Sequence, residues 1–427
     1  MGAIREIMRE VTMLASFSEY SIHPKHPVAL IGKSSDYDSV HDPLKVHVAL
    51  FRSKKRYAFI SYDLIAVDQT FLDRFIQRLN DFHKSYTCYI GAIHTHNAPA
   101  GTLDTSSPES PLYGLDYIFG LRNDEYIDYV IDQTIKAMHE AEKNFQNYQV
   151  DKKAFVLQDI GKNRNNPHLK GDPRCIVFRF VSRRETNILF HFPCHPTVLK
   201  NNALSADLIG GIYEQLKKEC QHVLFFNGDA GDISTRFTRK GTSFAEIKRL
   251  ADRFMEQYLS VDFEPVKEAE NRIESKTGIW EIPLREPQDL SKIRSLIRVQ
   301  KRESQRRAGN RMSRGDGRLI ESKLEGLRFA YEYAKHYQKR KPLKLRISSI
   351  HFFGEKILTF PGELFSELIR KYDKLKDVYI FGYTNGYFMY FPDQQSFEDE
   401  VYEAQASFLN PGAGERLMDE VIDMFYS

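Results

Sequence analysis

The chain is poor in several features that would fix its class at once. Its 427 residues include four cysteines and one tryptophan. Cys88, Cys175, Cys194 and Cys220 are widely spaced, with no Cys-x-x-Cys pair among them. That spacing argues against a disulfide framework or a cysteine-built zinc site, and free thiols in a reducing compartment are expected. No apolar run reaches the ~18 residues needed to cross a bilayer. The opening stretch "MGAIREIMREVTMLASFSEYS" has charges among its apolar residues and lacks the core and cleavage site of a secretory leader, so a cytoplasmic location is expected. A net charge of +3 is too small to indicate nucleic acid, and no nucleic-acid partner is expected. Internal repeats and low-complexity linkers are also missing.

What is present is the balance of a globular chain, 41% hydrophobic and 28% charged. "KVHVALF" and "RYAFISYDLIAV" read as adjacent strands, and "TFLDRFIQRLNDFHK" has helical spacing. "TCYIGAIHTH" reads as a buried strand. "DEYIDYVIDQTIKAMHEAEKNF" is an amphipathic helix with acidic residues in its first turn. "CIVFRFV" and "NILFHFPCH" form an expected strand pair, turning at Glu185–Asn187. "ADLIGGIYEQLKKEC" and "FAEIKRLADRFMEQYL" read as helices, with the strand and Gly/Asp loop "HVLFFNGDAGDIS" between them. The expected fold class is therefore α/β, a single layered domain with a mixed β-sheet core and flanking helices.

Residues 285–346 break this pattern, with 19 Lys and Arg against 7 Asp and Glu in a helix-rich segment interrupted near "NRMSRGDGR". This basic helical insert reads either as a solvated hairpin or as a surface for anionic groups, a transient membrane contact among them. Strand-like sequence returns in "LKLRISSIHFF", "KILTFPGEL" and "VYIFGYTNGYFMYFP". The insert is then an excursion within one domain spanning 1–427.

Five segments carry residues suited to chemistry. In "GAIHTHNAPAG", His94 and His96 stand two apart at an expected strand end, where a period of two turns both to one face. Such a pair can ligate a cation, or each ring can be satisfied by backbone. His195, in "FHFPCHPTVL", is a second strand-end histidine, whereas His191 is assigned to packing or surface. "FFNGDAGDISTR" carries Asp229, Asp232 and Ser234. It fits an Asp-rich turn, a dinuclear phosphoesterase site, or a loop presenting Ser234 to a metal-activated substrate. Glu363 in "FPGELFSELIR" either opens a helix as a favourable N-terminal charge or completes a His/His/Glu zinc set with an open position. Tyr383, Tyr387, Tyr390 and Tyr402 in "GYTNGYFMYFPDQQSFEDEVYEAQAS" suit packing, since a tyrosine ligates zinc only as a phenolate. A non-catalytic, metal-containing binding protein is a further reading of the same residues.

In order and content these segments resemble the catalytic domain of the neutral/alkaline, non-lysosomal ceramidase family. "HTHNAPAG" is similar to its His-Thr-His-Ser-Gly-Pro segment, "GKNRNNP" to its Asn-Arg segment and "CHPTVL" to its His-Pro-Thr segment. "NGDAGDIS" resembles Gly-Asp-Val-Ser, "PGELFSEL" resembles Pro-Gly-Glu-Phe, and "GYTNGYFMYF…VYEAQAS" resembles the region closing the site. The resemblance implies one zinc ion per chain, held by His94, His195, Glu363 and Tyr390. It implies that Ser234 is tied to catalysis, with His96, Arg164 and Tyr402 around the substrate carbonyl. The implied reaction is hydrolysis of an N-acyl amide, ceramide or a related compound, through zinc-activated water. Three departures are visible. Thr235 and Arg236 replace Pro-Asn after the serine, and Asn97–Ala98 replaces Ser-Gly. The chain also ends in the helix "AGERLMDEVIDMFYS", so no carboxy-terminal β-sandwich is expected, and a different acyl amide can be the substrate.

Overall fold

Strand-forming runs rich in Val, Ile, Phe and Tyr assemble into three mixed sheets. The computed structural model describes residues 13–80, 82, 84–307, 314–337 and 341–427. The first twelve residues, on which the leader reading rests, and the start of "NRMSRGDGR" lie outside the described residues. In the first sheet the strand order is Thr87–Ala92, Arg56–Tyr62, Lys45–Arg52, Leu14–Ser21 and Gln146–Asn147. The second runs His222–Asn227, Thr186–Phe192, Arg174–Val181, Gln149–Val156 and Glu264–Pro265. The third runs Ile273–Ile282, Leu343–Phe352, Glu355–Thr359 and Val378–Phe381. Each sheet has one parallel pair, and its outer member is an edge strand: Thr87–Ala92, His222–Asn227 or Val378–Phe381.

Aromatic side chains bind the sheets into one core. Phe59 meets Phe226 and Phe352 edge-on or tilted, and Phe226 stacks on Phe381 at 4.5 Å. Helices cover the outer faces. Asp124–Lys143 packs on the first sheet, capped by Asn123, which accepts the Tyr126 N–H. Asp207–Leu216 and Phe244–Leu259 pack together beside the second sheet, and Ala413–Phe425 lies against Ile273–Ile282. This is the expected α/β class with a mixed-sheet core. No helix of the described residues is long and apolar enough to cross a membrane, and all four cysteines are free.

The carboxyl ends of the three edge strands meet. The Asn227 side chain donates to the carbonyls of Ile93 (3.1 Å) and Cys194 (3.0 Å) and accepts from the N–H groups of Cys194 (3.1 Å) and Gly228 (2.8 Å). Its own carbonyl accepts the Gly382 N–H at 2.9 Å. Gly91 permits the close approach, because a Cβ there would lie 2.9 Å from Thr384 Oγ1 and 3.1 Å from the Phe226 ring.

Four local expectations need correction. The strand before the histidines stops at Ala92, so His94 and His96 do not share a face by strand alternation. His94 instead takes a left-handed backbone, φ 72°, two residues beyond the strand. Glu363 does not open a helix: Glu363–Leu364 pairs in parallel with Tyr390–Phe391, and the short helix begins at Ser366. The run from Val378 is strand to Phe381 and again only at Tyr390–Phe391, and between them Tyr383, Asn385 and Met389 adopt positive φ. Bonds to neighbouring segments hold these costly conformations, as when Asn385 both donates to and accepts from the Ile90 backbone. The turn between the second-sheet strands spans 182–185 and not Glu185–Asn187, with Ser182 N–H on the Glu185 carbonyl and Thr186 and Asn187 already in strand.

The insert's helices, Leu290–Arg307 and Arg314–His336, pack on each other, and the second also packs on Tyr402–Gln405. Phe329 is fully buried against Phe408. The insert is thus seated on the body through apolar side chains, and Arg285 at its start donates to the Ala404 and Gln405 carbonyls.

Replacing Asn227 with alanine removes four hydrogen bonds and strands buried backbone groups of Ile93, Cys194 and Gly228, while the backbone bond to Gly382 is kept. The expected loss is about 2–4 kcal/mol in urea unfolding; a loss below about 1 kcal/mol would show that the strand ends hold without it.

Candidate metal centre

Backbone anchors carry three distant side chains to one buried point. The His94 N–H bonds to the Leu64 carbonyl at 3.0 Å, and its Nδ1 lies 2.8 Å from the Ile65 carbonyl. The His195 N–H bonds to the Ile233 carbonyl at 2.9 Å, and its Nδ1 lies 2.6 Å from the Ala230 carbonyl. A carbonyl can only accept, so in both rings Nδ1 carries the hydrogen and Nε2 offers a bare lone pair. The Glu363 N–H bonds to the Met389 carbonyl at 2.9 Å, and its Oε1 accepts the Tyr387 hydroxyl at 2.5 Å. That leaves Oε2, which sits 2.8 Å from His195 Nε2 and 3.5 Å from His94 Nε2.

All three side chains are almost wholly buried. Burial, the largest influence, holds both imidazoles well below the usual histidine range and hence neutral; at His94 the Glu363 charge opposes it. Three acceptor atoms therefore face one another, and none has a hydrogen-bond partner. Such a cluster repels itself unless a cation or a proton lies between its members. A divalent ion that takes nitrogen and oxygen donors fits this set. His96 approaches from the same side, its ring 5.1 Å from that of His94, and one nitrogen from each of His94, His96 and His195 lies within 4.8 Å of the others.

A second ring of side chains adjoins this point. The Tyr390 ring is stacked 6.4 Å from His195, and burial first, then the Glu363 charge, hold its phenol well above the usual range. It could act as a ligand only against a cation strong enough to take its proton. Arg164 donates to the Gly231 carbonyl at 2.7 Å, lies with its guanidinium carbon 5.4 Å from the Tyr390 ring centre, and pairs through Nε with Glu403 Oε1 at 2.6 Å. Burial opposes its charge, but Glu403 and Tyr390 outweigh that and keep the guanidinium protonated. Ser234 is buried, bridged to the His195 backbone, and its hydroxyl accepts the Arg236 N–H at 3.2 Å, leaving the hydroxyl proton to donate elsewhere. The Tyr402 ring lies 5.7 Å from that of Tyr390.

A cavity of about 500 Å³ opens here, lined by His96, Arg164, Ser234, Tyr390 and Tyr402. Ser322, Glu325 and Arg328 of the insert line it too. The eight residues that the resemblance assigns to the site thus gather in one region. His94, His195 and Glu363 form its buried floor, and the other five face the cavity.

The remaining residues do other work. Asp232 accepts from Ser366 N (2.8 Å), Ser366 Oγ (3.0 Å) and Asn163 Nδ2 (2.9 Å), and burial pushes its carboxyl up to about 7. Asp229 is buried with Asp172 and Arg174 as charged neighbours. Neither joins the converging histidines, the one such group among the described residues. His191, read as packing or surface, is packing, buried and bonded to the Phe226 carbonyl beside Phe381. Sequence reading gave no role to Glu403 or Asn227, and it treated Tyr387 as packing. Their partners lie far off in the chain, so no local pattern marks them.

The molecule is an α/β protein with a candidate metal centre where three sheets end. No protein-family model and no curated protein sequence matches the chain. Its fold is shared with solved ceramidases. The neutral ceramidase from Pseudomonas aeruginosa has a TM-score of 0.71 at 16% identity, covering 97% of this chain and 74% of its own. A second, described as ceramidase complexed with C2, has a TM-score of 0.70 at 14% identity, covering 97% and 75%.

Glu363→Gln supplies an amide N–H₂ that can donate to an imidazole Nε2. In chelator-treated protein it is expected to raise the melting temperature, by the equivalent of about 1 kcal/mol. A lower melting temperature would mean that the carboxyl already carries a shared proton.

Proposed function

We propose that the chain is a zinc-dependent amide hydrolase of the ceramidase type, cleaving a lipid-like N-acyl amide. The observation that carries this reading is the convergence of bare His94 Nε2, His195 Nε2 and Glu363 Oε2, buried and unpartnered, beside a cavity large enough for a substrate. The shared ceramidase fold supports it independently.

His94, His195 and Glu363 would hold the ion, with Tyr390 as a further donor. A divalent ion bound there supplies Lewis acidity and makes water nucleophilic at neutral pH. The chain's own groups do the rest. The Ile65 and Ala230 carbonyls fix the imidazole tautomers, and Tyr387 fixes the carboxylate. Arg164, held charged by Glu403, and the Tyr402 phenol would stabilise negative charge on the substrate oxygen, worth roughly 3–4 kcal/mol for a well-aimed donor. Ser234 would position the reacting centre through its remaining proton. His96, at the cavity wall, would move a proton towards the departing nitrogen. The carbon–oxygen bond to water forms, the carbon–nitrogen bond breaks, and a water proton ends on the amine.

A dinuclear phosphoesterase would need further carboxylates, beyond Glu363, beside the histidines. Of the aspartates that suggested one, Asp232 is committed to Ser366 and Asn163, and neither it nor Asp229 joins the converging histidines.

Metal analysis of the purified chain is expected to find one zinc per molecule and hydrolysis of a fluorogenic N-acyl amide, with His195→Ala losing both. Full activity and stoichiometric zinc in that variant would overturn the assignment. Tyr387→Phe is expected to weaken zinc about 10-fold in chelator competition by releasing Glu363 Oε1. Unchanged affinity would remove Tyr387 from the site.

A further inference from the structure

The cavity is lined with positive charge. Besides Arg164, which is paired with Glu403, its described lining includes Lys33, Lys200, Arg236, Arg239 and Arg328, against one carboxylate, Glu325. These cations come from four separate stretches of chain. Contacts with oxygens of the lining fix where several of them sit. Lys33 Nζ donates to the Lys200 carbonyl at 3.0 Å, joining two parts of the rim. Arg236 donates to the Arg164 carbonyl at 2.7 Å and to Ser322 Oγ at 3.3 Å, tying the serine loop to the insert. Arg239 donates to the Thr197 carbonyl. Aliphatic side chains are a minority of the lining. Like charges gathered in a concave, partly desolvated wall raise the local potential, which attracts an anion and gives a neutral ligand nothing.

We propose that the amide cleaved here carries a fixed anionic group, a carboxylate or a phosphate, close to the scissile bond. This rests on the amide-hydrolase reading above and narrows its substrate class, away from a lipid with an uncharged head. The basic insert then acquires a role in recognition, since Arg328 belongs to its second helix.

Matched decanoyl amides test it on the full, zinc-loaded chain: N-decanoylglycine, N-decanoyl-O-phosphoethanolamine and uncharged N-decanoylethanolamine, with N-decylsuccinamic acid placing the carboxylate on the acyl side. The expected kcat/KM is at least about tenfold higher for one or more of the anionic amides than for the neutral one, and that ratio shrinks with salt. The carboxylate and phosphate arms separate the two head groups. Lys200 and Arg328 are exposed rim residues, and joint K200Q/R328Q substitution is expected to reduce the anionic-to-neutral ratio severalfold. Calorimetry on metal-stripped chain gives a second readout, independent of turnover and of any ligand–metal bond. Tighter binding of the anionic amides with no cleavage of any amide would support the charge preference and overturn the hydrolase reading. Equal kcat/KM and equal affinity across the set would overturn the charge preference and leave the hydrolase reading standing.

Discussion

Asn227 ties together the places where the chain leaves all three sheets. Its side chain bonds to the chain leaving the first sheet at Ile93 and to the chain leaving the second at Cys194, and its carbonyl takes the Gly382 N–H beyond the third. Each sheet ends in a parallel edge strand whose carboxyl end opens into a loop, where ligand sites collect in α/β folds. His94 follows the first edge strand by two residues. The Gly228–Ser234 loop follows the second, and the tyrosine-rich loop containing Tyr387 and Tyr390 follows the third. An amide is well suited to this junction because it donates and accepts at once and carries no charge to bury.

The site turns this alignment into an electrostatic demand. Backbone carbonyls take the Nδ1 hydrogens of both floor histidines, and Tyr387 takes one oxygen of Glu363. What remains facing inward is electron-rich on every side. Burial makes imidazolium costly, so the rings cannot readily relieve the repulsion by protonating. A buried arrangement of this kind weakens the apo fold locally and rewards a cation, coupling metal binding to stability. The positive φ at His94, Tyr383 and Met389 is consistent with that, since strained backbone collects where a site needs side chains aimed against local preference.

The cavity wall is assembled from much of the chain. Residues near 31–33, 117–118, 197–201 and 234–239 meet the insert's second helix, which approaches so closely at Gly326 that an added Cβ would lie 3.0 Å from Gln405 Cβ. The insert's apolar side chains seat it on the body, and its polar residues Ser322, Glu325 and Arg328 complete the wall. The Gly-Asp-Ala-Gly-Asp stretch is tight for a similar reason. A Cβ on Gly231 would sit 2.4 Å from the Glu363 carbonyl, so only glycine lets the serine loop pass the carboxylate's own backbone.

The sequence by itself determined the strands and helices, because periodicity and side-chain shape act over a few residues. Lys45–Arg52, Asp124–Lys143, His222–Asn227 and Phe244–Leu259 follow their patterns closely. It also marked His94, His195 and Glu363 as residues of the right chemistry, through short motifs in a characteristic order. Geometry at those residues was another matter. Strand alternation misplaced His94, and local spacing put Glu363 at a helix start, because contacts with Leu64 and Met389 set those backbones. Glu403, Tyr387 and Asn227 carried no legible signal, and the basic insert read either as a solvated hairpin or as a surface for anionic groups, with nothing to mark where it packs. Only the tertiary structure decided those roles. Each depends on a partner tens to hundreds of residues away, and no pattern within a local window encodes a distance of that kind.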